Sequence, residues 1–136
     1  MNLHHTGFVV RNIDAYILNV PDTSLIRRVF DPVQDAELAI FKHANQPVLL
    51  ELIAPSGEKS FTYNFLQRNG EAFHHFCYRV SSHDEAALLA SQYRLIRVLG
   101  PVPAILFDSA EVLFYFNRNK QIIEFLIQPN EDNSNF

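Results

Sequence analysis

One octapeptide pattern occurs twice in the chain, and it constrains the fold more than any other feature. LHHTGFVV begins at Leu3 and FHHFCYRV begins at Phe73, and each places two histidines before an apolar, strand-like run. Each half also closes on an apolar segment with one carboxylate, VLLELIAP with Glu51 and QIIEFLIQP with Glu124. Repetition of this kind indicates two copies of one structural unit. We therefore predict a duplicated fold.

Each copy has the pattern of a strand, a helix and then further strands. In the second copy, Ser82 and Glu85 form a capping box that predicts a helix over 83–92. A short strand over 95–98 is expected to end at GPVP, and apolar runs at 111–116 and 121–127 predict a hairpin across NRNK.

The first copy is predicted to contain only a short helix before Pro21. The strands expected there cover 25–30, 37–43 and 48–53. A linker from Ser56 to Ala72 is predicted to hold a helix of its own, which Ser60 would cap and Gly70 would end.

Composition excludes several classes of protein. A chain of 136 residues, 48% hydrophobic, is the size of one domain and can bury a core without disulfides. Its net charge of -4, without a basic cluster, argues against nucleic acid and anionic membrane as partners. No apolar run approaches the roughly 20 residues that cross a bilayer. A single cysteine and the absence of a secretory signal pattern lead us to expect a cytoplasmic protein.

The repeated histidines and glutamates suggest a metal site. His5 and His75 occupy matched places in the repeat, as do Glu51 and Glu124. Each glutamate lies among branched aliphatic residues, where an unpaired carboxylate is costly. If the copies pack about a pseudo-twofold axis, these four side chains can bind one divalent ion. Nitrogen and oxygen donors suit Zn, Ni, Co, Mn or Fe, and the identity of the metal stays open.

The remaining candidates have structural explanations. A lone histidine at the start of a strand is more often a hydrogen-bonded core residue than a ligand. His4 and His74 point to the opposite strand faces and are interpreted as structural, whereas His43 and His83 are interpreted as surface residues. Cys77 is predicted to be an inert, buried small side chain.

These stretches resemble the vicinal oxygen chelate superfamily, and most of all its methylmalonyl-CoA epimerases, with glyoxalase I more distant. SFTYNFLQRNGEAFHHFCYRV is similar to the epimerases' linker helix, turn and second-module strand, and LHHTGFVV to their opening strand. LLELIAP and IIEFL resemble the two strands that carry metal ligands. The resemblance covers nearly all of residues 3–129.

The resemblance implies an α+β fold of two paired βαβββ modules whose curved mixed sheets form a metal-binding cleft. The chain would be a single domain, 1–136. Its first module would cover about 3–55, the linker helix about 56–72 and the second module about 73–129, followed by a polar tail, 130–136, that frays. It also implies a homodimer and a divalent ion (Co, Ni, Zn or Mn) held by His5, Glu51, His75 and Glu124.

The function implied is that of a metal-dependent epimerase that acts through an enolate on an acyl thioester. Glu124 is the candidate for one proton transfer, and Glu37 for the second if the alignment is shifted. The alternatives are a glyoxalase I-like lyase and a non-catalytic small-molecule binding protein of the same fold. A dioxygenase is disfavoured, because those enzymes need no first-module carboxylate and Glu51 supplies one.

Overall fold

The computed structural model describes residues 1–128, so Pro129 and the predicted fraying of the tail lie outside the described residues. The chain divides into two compact units. The N-terminal unit comprises residues 5–74, and the C-terminal unit joins residues 1–4 to the chain from His75 onward. The module boundaries expected from the sequence, about 3–55 and 73–129, stay a prediction.

The N-terminal unit follows the order strand, helix and three strands, and ends in the linker helix. Its elements are β1 (Asn2–Val9, from His5 onward in this unit), α1 (Ile13–Ile17), β2 (Thr23–Asp31), β3 (Ala36–His43), β4 (Leu49–Pro55) and α2 (Tyr63–Asn69). The strand order is β2-β3-β4-β1, in which β1 and β4 are parallel and the other pairs are antiparallel. The predicted first-copy strands are confirmed within two residues at each end.

One face of this sheet is covered by α1. Asn12 caps the helix, because its side-chain oxygen accepts a hydrogen bond from the Ala15 backbone N–H at 2.8 Å. Ile13 of the helix then packs against alternate residues of the central strands and of the segment after β1. This buried cluster consists of Val10, Ile13, Ala39, Phe41, Leu50 and Leu52.

The C-terminal unit repeats the arrangement. Its elements are β5 (Ala72–Val80, from His75 onward in this unit), α3 (His83–Gln92), β6 (Ile96–Pro103), a 3-10 helix (Ile105–Phe107), β7 (Glu111–Phe116) and β8 (Ile122–Ile127). The order β5-β8-β7-β6, with β5 and β8 parallel, matches β1-β4-β3-β2. The predicted α+β class with two βαβββ modules is confirmed.

Helix α3 begins and ends where the sequence predicts. The Ser82 hydroxyl accepts from the Glu85 N–H at 3.1 Å, and the Glu85 carboxylate accepts from the Ser81 N–H at 2.9 Å. Ala86 of the helix packs in a buried cluster with residues of the strands beneath it. That cluster consists of Val80, Ala86, Leu113, Tyr115, Phe125 and Ile127.

The prediction that GPVP terminates the strand after α3 is wrong. Strand β6 continues through Pro103, with a register shift between Leu99 and Val102. Because β6 is at the end of the strand order, prolines without an N–H are tolerated there. Gly100 makes the shift possible: its φ is +104°, and a Cβ would lie 2.6 Å from the Val112 carbonyl oxygen.

The linker helix is confirmed, but its predicted cap is wrong. Helix α2 begins at Tyr63, and Thr62 is the N-cap residue without a capping side-chain hydrogen bond. The Ser60 hydroxyl instead lies 3.4 Å from the Thr62 hydroxyl in the preceding turn. Gly70 ends the helix with φ +69°, as predicted.

Candidate metal centre

His5 and Glu51 lie on adjacent parallel strands of the N-terminal unit. The register aligns Gly7 of β1 with Glu51 of β4, and His5 precedes Gly7 by two residues on the same strand face. The His5 Nε2 is 3.5 Å from the Glu51 Oε1. His5 is fully buried and Glu51 is 5% exposed. We call these two residues the N-terminal pair.

His75 and Glu124 repeat this geometry in the C-terminal unit. The register aligns Cys77 of β5 with Glu124 of β8, and His75 precedes Cys77 by two residues. The His75 Nε2 is 3.7 Å from the Glu124 Oε1, and the two residues are 0% and 4% exposed. These residues form the C-terminal pair. Two equivalent buried His–Glu pairs are thus built on equivalent strands.

Both pairs lie on the strand face that their own helix does not cover. In β4, Leu50 and Leu52 pack with Ile13 of α1, so Glu51 projects from the opposite face. In β8, Phe125 and Ile127 pack in the cluster with Ala86 of α3, so Glu124 also projects away from its helix.

The donor atoms of each pair fit ligation of a divalent ion. Separations of 3.5 Å and 3.7 Å are long for a hydrogen bond. Two donors that bind one ion at about 2.0–2.2 Å stand roughly 3–3.5 Å apart, which is close to both separations. Imidazole nitrogen and carboxylate oxygen suit Zn, Ni, Co or Mn. Each pair can therefore supply two of the ligands of a metal.

Glu37, the second predicted catalytic residue, is not brought to Glu51. It shares a face of β3 with Ala39 and Phe41, which pack beneath α1. Its carboxylate accepts a hydrogen bond from Arg28 at 2.7 Å, and Arg28 also donates to Asp14 of α1 at 2.7 Å. Glu37 thus belongs to an exposed ion-pair network on the helix side of the sheet.

Three of the remaining histidines make side-chain contacts away from the two pairs. His4 makes an edge-on ring contact with Phe107, with centroids 5.1 Å apart, and His74 makes one with Phe65 at 4.8 Å. His83 is exposed and its Nε2 lies 2.9 Å from the Glu111 carboxylate. That His4 and His74 are structural stays a prediction, which these ring contacts support.

Arg79 is a further polar residue on the strand face that carries the C-terminal pair, and the repeat pattern assigns it no role. It lies on the same face of β5 as His75 and Cys77, two residues beyond Cys77. The available signal was a mismatch in the repeat, since the equivalent residue of the first octapeptide is Val9.

Comparison with known proteins identifies the family. The model of a Glyoxalase/Bleomycin resistance protein/Dioxygenase superfamily matches residues 4–114. The chain therefore belongs to this superfamily, the vicinal oxygen chelate superfamily. Its members are often metal-dependent enzymes and generally bind a divalent metal. No curated protein sequence matches the chain significantly.

Solved structures share the fold over nearly the whole chain. A hypothetical protein from Bacillus halodurans C-125 is 22% identical, with a TM-score of 0.81 and coverage of 98% of both chains. Methylmalonyl-CoA epimerase from Mycobacterium tuberculosis is 18% identical, with a TM-score of 0.82 over 96% of this chain and 89% of the other. A variant of the Streptomyces coelicolor epimerase in complex with 2-nitronate-propionyl-CoA is 16% identical, with a TM-score of 0.81 over 96% and 99%.

No helix within residues 1–128 is long and apolar enough to span a bilayer.

Proposed function

We propose that this chain is a metal-dependent isomerase that acts through an enolate on an acyl thioester, as a methylmalonyl-CoA epimerase does. The observation that carries the proposal is the recurrence of a buried His–Glu pair at the same register position in both units. A single such pair has structural explanations, but core packing does not require the same two polar residues twice. Membership of a superfamily of metal-dependent enzymes supports this interpretation.

The proposed ligands of one divalent ion are His5, Glu51, His75 and Glu124. A ligand role would place the positive charge of a divalent ion beside both buried carboxylates, which favours their ionised form. An ion held there would supply Lewis acidity, which stabilises the negative charge that develops on a thioester oxygen during removal of the α-proton. The metal is Co, Ni, Zn or Mn, since the donor set contains no thiolate.

The two glutamates are the proposed proton-transfer residues. Epimerisation requires one group to remove the α-proton and another to return a proton to the opposite face of the carbon. Glu124 is our candidate for one transfer. Glu51 replaces Glu37 as the candidate for the other, because Glu51 is the buried equivalent of Glu124 whereas Glu37 is tied to Arg28 on the helix side.

Exchange of the substrate α-proton with solvent tests the proposal. Purified protein loaded with Co²⁺ is incubated with methylmalonyl-CoA in deuterated water, and deuterium incorporation is followed by mass spectrometry. We expect catalysed exchange that a chelator abolishes. Glu124→Gln should lower the exchange rate by about 10²–10⁴-fold, the range typical of a general acid or base. Glu37→Gln is the matched control and should exchange at the wild-type rate. Absence of exchange in the loaded wild-type protein would reject the epimerase proposal.

A glyoxalase I-like lyase is the second candidate. It is favoured by one observation, that both candidate ligand carboxylates are glutamates, a pair also compatible with glyoxalases. The hemithioacetal of methylglyoxal and glutathione, offered to the same preparation, separates the two activities. A non-catalytic binding protein would instead show a metal content near zero and turn over neither compound. The homodimer and the cytoplasmic location stay predictions.

A further inference from the structure

Arg79 differs from two other arginines of the chain, Arg11 and Arg28. Within residues 1–128, the Nε atom of Arg79 is buried and that atom has no hydrogen-bond acceptor. By contrast, Arg28 donates to Asp14 and Glu37, and the side chain of Arg11 lies 3.9 Å from Glu71. A buried donor that has given up water without gaining an acceptor is unfavourable, so a specific group is expected to satisfy it.

The surroundings of Arg79 direct its side chain to one face of the sheet. It shares that face of β5 with Cys77, and its register partner on β8 is Leu126, both fully buried. At the equivalent place in the N-terminal unit, Val9 pairs with Ile53, and both are buried. A hydrophobic residue therefore suffices for the packing of this strand. The arginine of the C-terminal unit adds a charge that the fold does not need.

The chemistry of the guanidinium indicates its ligand. Arginine stays charged at all relevant pH values and presents a planar fork of N–H donors, which matches the two oxygens of a carboxylate. Glu124 is in register with Cys77, two residues before Arg79 on the same face, which is about 7 Å along the strand. A carboxylate held by Arg79 thus belongs to a short acyl group near the proposed proton-transfer residue.

We propose that Arg79 is a specificity-determining residue that binds a carboxylate of the ligand on the face of β5 that carries His75, and so selects short acyl groups with a free carboxylate. The inference that the bound carboxylate belongs to a short acyl group near the reacting carbon rests on the proposed function. The binding of a carboxylate by Arg79 does not, because it requires neither metal nor turnover.

Binding of malonate to metal-free protein tests this inference. Isothermal titration compares the wild type with Arg79→Met, Arg79→Lys and the control Arg97→Met, which removes the same charge from an exposed position on β6. We expect Arg79→Met to weaken binding by at least roughly tenfold, as loss of a charge-assisted bidentate contact should, and Arg79→Lys to lie between it and the wild type. Arg97→Met should bind as the wild type does.

Three binding results would overturn the proposal. They are absence of malonate binding in the wild type, equal binding in Arg79→Met, and a preference of the Arg79 site for inorganic phosphate over malonate. Thermal unfolding without ligand provides a second readout. Arg79→Met should melt at or above the wild-type temperature, because it removes a buried donor without an acceptor; a marked decrease would mean that the arginine has a structural partner, and would equally reject the proposal.

The outcome is independent of the metal assignment. Elemental analysis of the same variants is expected to show unchanged metal content in Arg79→Met. If the wild type binds no metal but binds malonate through Arg79, the proposed isomerase fails and the carboxylate site stands. If metal binding and proton exchange persist while malonate binding does not depend on Arg79, the proposed isomerase stands and the proposed carboxylate site fails.

Discussion

Helices α1 and α3 begin at equivalent positions of the two units but differ twofold in length. Asn12 and Ser82 are the N-cap residues at matched places in the repeat, and each side-chain oxygen accepts from the backbone N–H three residues later. Yet α1 has five residues and α3 has ten. The caps, the parallel strand pair and the His–Glu pair are shared, whereas the helix length is not. The features common to both units are therefore those that define the strand register and the candidate ligands.

The units also differ on the strand that carries the histidine and on the edge strand. Val9 corresponds to Arg79 on the strand that carries the histidine, and the edge strands β2 and β6 shift register in different ways. The shift in β2 lies between Leu25 and Arg27 and involves no glycine, whereas β6 has two shifts, the second of which includes Gly100. The second difference concerns edge strands, where packing restricts the sequence least.

The strongest test of equivalence is removal of the histidine from each pair in turn. His5→Ala and His75→Ala should each lower the metal affinity by at least about 100-fold, since even the outer partners of metal ligands are worth about 10–100-fold. Affinity is measured by competition with a chromophoric chelator. His43→Ala, on β3, is the control and should bind as the wild type does. Full affinity in either variant would mean that the two units do not contribute equally.

A methyl group added at Gly100 should destabilise the edge strand β6. We expect Gly100→Ala to lower the free energy of unfolding by about 2–4 kcal/mol, because the added Cβ clashes with a carbonyl oxygen and the positive φ is strained for alanine. Urea unfolding monitored by circular dichroism measures the change. Gly57→Ala has open space around the new Cβ and should stay within about 0.5 kcal/mol of wild type. Equal effects would refute the role assigned to Gly100.

The two helix caps provide a finer comparison. Ser82→Ala and Asn12→Ala should each cost about 1 kcal/mol of stability, because a backbone N–H loses its acceptor. Ser82→Ala should cost more, since the longer helix depends on that cap. Ser91→Ala, late in α3 and exposed, is the control and should be neutral or slightly stabilising, as alanine favours the helix. A larger cost in Asn12→Ala would reverse our ranking of the helices.

The smallest expected effect concerns the network on the helix side of the N-terminal unit. A hydrogen bond from Arg28 holds the pKa of Asp14 below its ordinary value of 3.8. Asp14 therefore binds fewer protons in the folded than in the unfolded protein, and its stabilising effect is present near neutral pH and lost as the pH falls through the lowered pKa. The stability difference between wild type and Arg28→Met should therefore decrease as the pH falls through the lowered pKa of Asp14.

Thermal unfolding at a series of pH values measures this trend. Arg68→Met, an exposed arginine of α2, should show a difference from wild type that does not vary with the ionisation of Asp14. A difference between wild type and Arg28→Met that grows on acidification would contradict the assigned cause.

Local signals explain why much of this fold is predictable from the sequence. The bounds of α3 follow from Ser82 and Glu85, and the hairpin turn follows from Asn117, whose side-chain oxygen accepts from the Asn119 and Gln121 N–H groups. The end of β6 was not predictable in this way, because its prolines are accommodated by an edge position in the sheet and by a register shift against β7.

The candidate site was predictable in part for a similar reason. In the repeat, His5 matches His75 and Glu51 matches Glu124, so the pattern itself indicates which polar residues belong together. Glu37 shows the limit of that reasoning, because neither its strand face relative to α1 nor its contact with Arg28 is evident from the sequence. Arg79 has no repeat counterpart of its own type, and a lone arginine in a strand resembles a side chain that reaches solvent.

The parallel pairing of β1 with β4, and of β5 with β8, has a consequence for assembly. A histidine and its glutamate are distant in the chain and become neighbours only after the intervening helix and strands have been placed. Closing such long loops is slow and entropically unfavourable, so an unfolded chain offers an ion no preformed chelate. An ion at the proposed site would therefore bind to a scaffold that is already folded, and we expect the apoprotein to fold without it.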